Sequence, residues 1–273
     1  MITADEVRRL IVDHDAARPR SQQTSIGPSD LSSPCDRKLV YQLLGVPRVA
    51  QQHVNLYAWV GTQMHGGLEA GCKHDNAVRT AAAIRGEQPH ESGFQARWLT
   101  EVRVTVPVTD TVSITGNVDA FDLWTGTAID WKSRGASTPT AKTRAKHHTQ
   151  LLPYGLGLIL LGHEVKHTAV VYIPRNGTLA DIEVDTRPFD HDAAEQLLRR
   201  YEALIAAAGA GVAVLPLVPV ADDCTYCPFW LPGWPGDPSE ACPGAQALTK
   251  TPGVVPVEHN TTTPTPTETR TAS

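Results

Sequence analysis

The chain has 273 residues, 41% of them hydrophobic, and a formal net charge of -5. That length suits one large domain or two small ones with a sizeable core. It has no run of about 18 apolar residues, so no transmembrane helix is expected, and its start, Met1-Ile2-Thr3-Ala4-Asp5-Glu6, lacks the pattern of a signal peptide, so a cytoplasmic location is expected.

Thr3-Ala4-Asp5-Glu6 forms a capping box, and Val7, Leu10 and Ile11 continue one helical face. Arg18-Pro19-Arg20 should end this N-terminal helix, assigned to residues 1–22. Ser33-Pro34-Cys35 opens a second helix, with Ser33 as cap and Pro34 in the first helical position. Cys35 then sits in a first helical turn, and Gly45 with Pro47 marks the stop. From Asn55 to about Lys73, apolar residues Leu56, Trp59, Val60, Met64 and Leu68 recur at helical spacing. His65 and Glu69 share a face of that helix; alone, His65 reads as a structural histidine. Trp98 to Val108 alternates as a strand, with Val102, Val104 and Val106 on one side.

The next stretch, Thr115 to Ser133, reads as two strands joined at Thr125-Gly126. A two-residue loop pairs Trp124 with Thr127, Phe121 with Asp130 and Asp119 with Lys132. Asp119, Asp130 and Lys132 then share one face, while Val118, Ala120, Ile129 and Trp131 share the other. Two neighbouring carboxylates repel, and a divalent cation relieves that. Carboxylate oxygens suit Mg²⁺ or Mn²⁺, which can polarise a phosphoryl oxygen while the lysine offsets developing charge. Without a cation the same pattern is an ordinary solvent-facing hairpin.

Between Trp131 and His163 there is no Asp or Glu, yet Lys132, Arg134, Lys142, Arg144 and Lys146 fall there with His147 and His148. Such a basic stretch can hold phosphates despite the acidic total, or it can be a solvated helix face. Ser137-Thr138-Pro139 opens a long helix toward Gly162, in which Gln150 and Tyr154 share a face and Pro153 should kink or break the helix. His167–Pro174 and Leu179–Arg187 read as strands around Asn176-Gly177. Asp190 caps a last helix carrying Leu197, Leu198, Tyr201, Leu204 and Ile205 and ending at Gly209. Residues 23–247 are taken as one domain. Residues 248–273 are Thr- and Pro-rich and are expected to be disordered.

Five cysteines remain: Cys35, Cys72, Cys224, Cys227 and Cys242. Cys224-x-x-Cys227 has a metal-type spacing. Cys35 at a helix start suits a thiolate that completes the C-terminal set, whereas Cys72 reads as a small core hydrophobe. Four thiolates can hold zinc or an iron–sulfur cluster.

Taken in order, Cys35, Gly61-Thr62-Gln63-Met64-His65, Gly116-Asn117-Val118-Asp119, Asp130-Trp131-Lys132, Gln150-x-x-x-Tyr154, Cys224-x-x-Cys227 and Cys242 resemble the PD-(D/E)XK nuclease superfamily. The likeness is to its RecB-like branch with an iron–sulfur cluster, including CRISPR-associated Cas-four and phage-encoded exonucleases. Asp130 stands where that family often has glutamate, and the gap from Cys227 to Cys242 is longer than its usual last pair. The resemblance implies an α+β (or α/β) restriction-endonuclease-like core: a mixed central sheet flanked by helices, with the two ends of the domain joined by cysteines. It implies that His65, Asp119, Asp130 and the Trp131 carbonyl hold Mg²⁺ or Mn²⁺ and that Lys132 is the catalytic lysine. Gln150 and Tyr154 would position the DNA strand. Cys35, Cys224, Cys227 and Cys242 would carry a 4Fe–4S cluster, with zinc as the lesser possibility. Arg134, Lys142, Arg144 and Lys146 would contact DNA.

The activity so implied is a metal-dependent DNA exonuclease on single-stranded ends, 5′ to 3′, in recombination, repair or processing. If phage-encoded, it would work in the host cytoplasm. No Gly-x-x-x-x-Gly-Lys-Ser/Thr loop is present in the sequence, so a helicase or recombinase would be a separate partner. The rival expectation is a non-catalytic DNA-binding module stabilised by the cluster or by zinc.

Overall fold

A computed structural model of the chain describes residues 3–17, 26–49, 56–86, 96–221, 224, 227–234, 236–237 and 239–244. The expected helix stop at Arg18-Pro19-Arg20 and the Thr/Pro-rich tail lie outside the described residues. Six α-helices are described: α1 (Ala4–Ala16), α2 (Pro28–Leu31), α3 (Asp36–Leu43), α4 (Leu56–Ile84), α5 (Ala141–Leu160) and α6 (His191–Ala208). Five strands form one sheet: β1 (Trp98–Pro107), β2 (Ser113–Asp122), β3 (Thr127–Arg134), β4 (His167–Pro174) and β5 (Glu183–Pro188).

The strand order is β1-β2-β3-β4-β5. Neighbours are antiparallel except β3 and β4, which run parallel and are joined through α5. A parallel pair needs a crossover of this kind, because a short turn cannot return the chain to the starting edge. The result is a mixed sheet flanked by helices, the expected α+β class. No helix among the described residues is long and apolar enough to cross a membrane.

α4 covers one face of the sheet: Met64, Leu68 and Cys72 pack against Ala120, Ile129, Trp131 and Ala169. α5 covers the other: Leu151, Tyr154 and Leu158 pack against Val104, Val118, Phe121, Ala128, Val170 and Tyr172. A third cluster joins α2, α3 and α6 to Val106, Ile114 and the C-terminal Phe229 and Cys242. α5 approaches β1 closely because Gly157 has no side chain: a Cβ there would lie 2.4 Å from Val104 Cβ.

Several local readings shift. Cys35 is the N-cap of α3, one residue before the helix, and Ser33 instead accepts from the Cys35 amide at 3.3 Å. α3 ends as expected at Gly45, whose φ of +66° lets the Gly45 and Val46 amides turn back to Gln42 and Tyr41. α4 runs eleven residues past Lys73, to Ile84. α5 begins after Thr140, whose hydroxyl accepts from the Thr143 amide, and it continues through Pro153 without breaking. Leu179–Asp181 is a 3₁₀ turn, so the last strand starts only at Glu183. Asp190 caps α6 and Gly209 ends it, as read.

Candidate active site

The hairpin turns through four residues, Leu123–Gly126, and the first paired residues are Asp122 and Thr127. The register therefore differs by two from the expected one. Asp130 and Lys132, two apart on β3, project together whatever the register. They project toward α5, alongside Ala128 and Tyr172.

The apolar side of the hairpin needs a larger correction. Val118 packs under α5, whereas Ala120 packs under α4, although the two are two residues apart. The alternation breaks at Asp119. The β1 strand breaks at the same level: pairing skips from Thr100 to Val102, and Glu101 between them has φ +50°. A glutamate in that region is strained, and such local strain is often held next to functional groups.

The β2–β3 ladder ends at Ala120–Ile129. Beyond it Asp119 replaces a main-chain partner: its Oδ2 accepts from the Trp131 amide at 2.8 Å. Its Oδ1 lies 3.4 Å from His65 Nδ1, which α4 supplies from the other face. His65 Nε2 in turn donates to the Trp131 carbonyl at 2.8 Å. His65, Asp119 and the Trp131 main chain thus meet where two strands part, in the gap of the sheet.

On the α5 side, Lys132 Nζ donates to Asp130 Oδ1 at 2.9 Å and to Gln150 Oε1 at 3.1 Å. Gln150 Nε2 donates to the same Asp130 oxygen at 3.0 Å. Asp130 is 3% exposed and Gln150 7%. Tyr154, one turn further on, is also buried and meets Gly116, where a Cβ would come within 2.9 Å of both its ring and Pro28. That contact is a physical reason for glycine at 116.

Charge follows the geometry. Burial pushes the Asp130 carboxyl above its ordinary range; Lys132 opposes this and the nearby Asp119 adds to it. Burial alone would lower His65, but its hydrogen bond and charge contact with Asp119, then the charge of Asp130, outweigh burial and raise it. Both ring nitrogens face oxygens, and a carbonyl oxygen can only accept. The cluster of oxygens therefore calls for positive charge.

Among the described residues, no three His, Cys, Asp or Glu side chains are arranged as a ready metal cage. The donor set nonetheless fits a hard divalent cation. It offers two carboxylates, an imidazole and a carbonyl, and Asp130 Oδ2 is buried without a hydrogen bond, although Lys132 Nζ lies 2.8 Å away as an ion pair.

Beside Lys132 opens a cavity of about 320 Å³, bordered by Arg134, Thr140, Thr143, His147 and Tyr172, with no carboxylate in its lining. Burial, then Lys132 and Lys146, push His147 down to about 4, so it stays neutral beside the Tyr172 hydroxyl, 3.0 Å away. His147 stood in the sequence only as part of a basic stretch; the parallel β3–β4 pairing that puts Tyr172 next to Lys132 is what brings it to the site. Of the four basic residues expected to meet DNA, Arg134 borders this cavity and donates to the carbonyls of Gly135, Ala136 and Asp181. Lys142 is exposed on α5 and Lys146 half-buried. Arg144 is held by Glu183 and Asp185 and lies over the Tyr172 ring.

The cysteines expected to hold a cluster lie at the start of α3 and in the C-terminal segment, and among the described residues no three of them are grouped to hold a metal ion. Cys35, Cys224 and Cys242 are buried and Cys227 is half-buried. Burial raises the Cys227 thiol to about 11, and Cys35 and Cys242 are close enough to add to it. Gly244, two residues past Cys242, would bring a Cβ to 3.4 Å from Cys224 Sγ. Cys72 sits apart on α4, half-buried against the sheet.

Residues 73–230, more than half of the chain, match the family model of the PD-(D/E)XK nuclease superfamily. The match takes in Asp119, Asp130, Lys132 and Gln150. No curated protein matches the chain. Among solved structures, the crystal structure of SSO0001 is similar with a TM-score of 0.50 at 18% identity, over 84% of this chain and 95% of that one. An alkaline exonuclease, LHK-Exo from Laribacter hongkongensis, gives 0.42 at 12% identity, over 72% and 93%. Its complex with dAMP gives 0.40 at 14% identity, over the same shares. With its mixed sheet, and with an aspartate, a second aspartate and a lysine where β2 and β3 part, the chain belongs to the PD-(D/E)XK nuclease superfamily.

Proposed function

We propose that this nuclease is a divalent-metal-dependent DNA exonuclease that shortens single-stranded ends, 5′ to 3′, during recombination, repair or processing. The observation that carries the reading is the buried Asp130–Lys132–Gln150 triangle set against Asp119 and His65 across the parted strands. His65, Asp119, Asp130 and the Trp131 carbonyl would hold Mg²⁺ or Mn²⁺. The cation supplies Lewis-acid polarisation of a phosphoryl oxygen and of water.

The chain's own residues do the rest. Lys132 places an ammonium where charge develops on the phosphate. Gln150 holds that ammonium and the Asp130 carboxylate in fixed relation, and Tyr154 seats α5 against β2 so that the strand meets them in register. Arg134, Lys142 and Lys146 supply phosphate contacts. Arg144, already shared between two carboxylates, acts chiefly through the shape of α5.

Cys35, Cys224, Cys227 and Cys242 would hold a 4Fe–4S cluster, or zinc, whose role is to staple the start of α3 to the C-terminal loop. The burial of Cys35, Cys224 and Cys242, and the nearness of Cys35 and Cys242 to the Cys227 thiol, support this. Duplex substrates would need a separate helicase or recombinase.

The test is digestion of single strands labelled at either end, with Mg²⁺ or Mn²⁺, using wild type beside Lys132→Ala and Asp130→Asn. Metal-dependent loss of label from the 5′ end, abolished in both variants, is expected. Binding without cleavage at every metal tried would replace the reading with a DNA-binding module.

A further inference from the structure

We propose that Tyr57 and Arg175 form a second grip on single-stranded nucleic acid, about 12 Å along α4 from His65, in which a base stacks on the Tyr57 ring and Arg175 meets the adjoining phosphate. This rests on the nuclease reading above and adds a binding site to it.

The geometry is a single stripe. Tyr57, Gly61 and His65 are four residues apart in turn, so they share one face of α4. That face runs along the end of the sheet. His65 sits over the Trp131 carbonyl. A Cβ on Gly61 would lie 3.0 Å from Ser133 Oγ, so the helix is close to the strand there. Tyr57 meets Arg175, whose guanidinium lies 4.5 Å from the ring centroid. Arg175 is anchored to the same strand: its amide donates to the Arg134 carbonyl at 3.0 Å, and Nη1 donates to Ser133 Oγ at 3.1 Å. Eight residues at 1.5 Å each give the 12 Å span, about three stacked nucleotide steps of ~3.4 Å.

Two properties of this end point to a nucleic-acid strand. Tyr57 is 64% exposed, although an aromatic ring at a helix start gains by burial. Among the described residues no carboxylate pairs with Arg175, so its charge is directed at the ring and at solvent. An exposed ring braced by an arginine, next to a cationic groove, is the arrangement by which single strands are held without regard to sequence.

The experiment is anisotropy of a fluorescent single-stranded oligonucleotide titrated with the full chain in EDTA, across a range of salt. Tyr57→Ala should weaken binding about tenfold, and Tyr57→Phe should stay within about twofold of wild type. Arg175→Ala should weaken binding and lower the salt slope by about one phosphate contact. Tyr57→Ala or Arg175→Ala binding like wild type overturns the proposal while leaving the nuclease reading intact. Wild type that neither binds nor cuts single-stranded DNA overturns both.

Discussion

Replacing Gln150 by leucine tests whether the lysine is aimed by its neighbours. The side chain is buried and makes two bonds to charged groups, at 3.0 Å to Asp130 and 3.1 Å from Lys132. Bonds of that kind each contribute about 1.5–3 kcal/mol. Leucine fills similar space, and Lys132 keeps its ion pair with Asp130 at 2.8 Å, so no charge is orphaned. What is lost is the fixed direction of the ammonium. We expect about 2–3 kcal/mol less stabilisation of the transition state, which is about 30–150-fold in kcat. KM should stay close to wild type, because Gln150 stands behind the lysine. Single-turnover cleavage of an end-labelled strand with Mn²⁺ measures both, with thermal unfolding as a check that the fold survives. A wild-type kcat refutes the reasoning. A raised KM with unchanged kcat would make Gln150 a strand contact instead.

Three other outcomes follow from the packing and charge. Burial would raise the Asp122 carboxyl, but the Arg97 guanidinium and the Trp124 amide hold it below its usual value. A carboxyl lowered on folding contributes stability that is complete above its unfolded pKa and is lost as pH falls through the folded one. Asp122→Asn should therefore cost about 1–3 kcal/mol at pH 7 in urea unfolding, and the gap from wild type should narrow as pH drops below 3.8. Gly157→Ala should destabilise by about 1–3 kcal/mol through its clash with Val104. Gly67→Ala, with nothing within 4 Å, should instead stabilise α4 by about 0.5–1 kcal/mol, so the two melting temperatures should move in opposite directions. Cys35→Ala and Cys242→Ala should lower bound iron or zinc, measured by elemental analysis, together with the melting temperature. Cys72→Ala should leave the metal content unchanged.

The local chemistry was legible in the order of residues. Asp130 and Lys132 are two apart on a strand, and that alone puts them on one face whatever the pairing. Gln150 and Tyr154 lie four apart on a helix, and the capping residues Thr3 and Asp190 mark their helices through bonds to near neighbours. Such relations depend on backbone geometry over a few residues, so the chain carries them by itself. The hairpin register did not have that protection, since a four-residue turn and a two-residue turn both accept Thr125-Gly126.

Other features were settled by packing between distant segments. The alternation breaks at Asp119 because β1 distorts opposite it at Glu101, eighteen residues earlier. His65 leaves the ordinary class of helix histidines only when α4 lies across β3. Arg144 is drawn off by β5, an edge strand nearly forty residues away, and no local pattern announces which carboxylates a long flexible cation will find. Tyr57 and Arg175 are separated by most of the domain and meet because α4 and the end of β4 both close on Ser133. The chain by itself determined which groups were present and their local facing; the tertiary contacts decided which of them share a site, because distance through space between remote segments is set by the whole core and not by any one stretch.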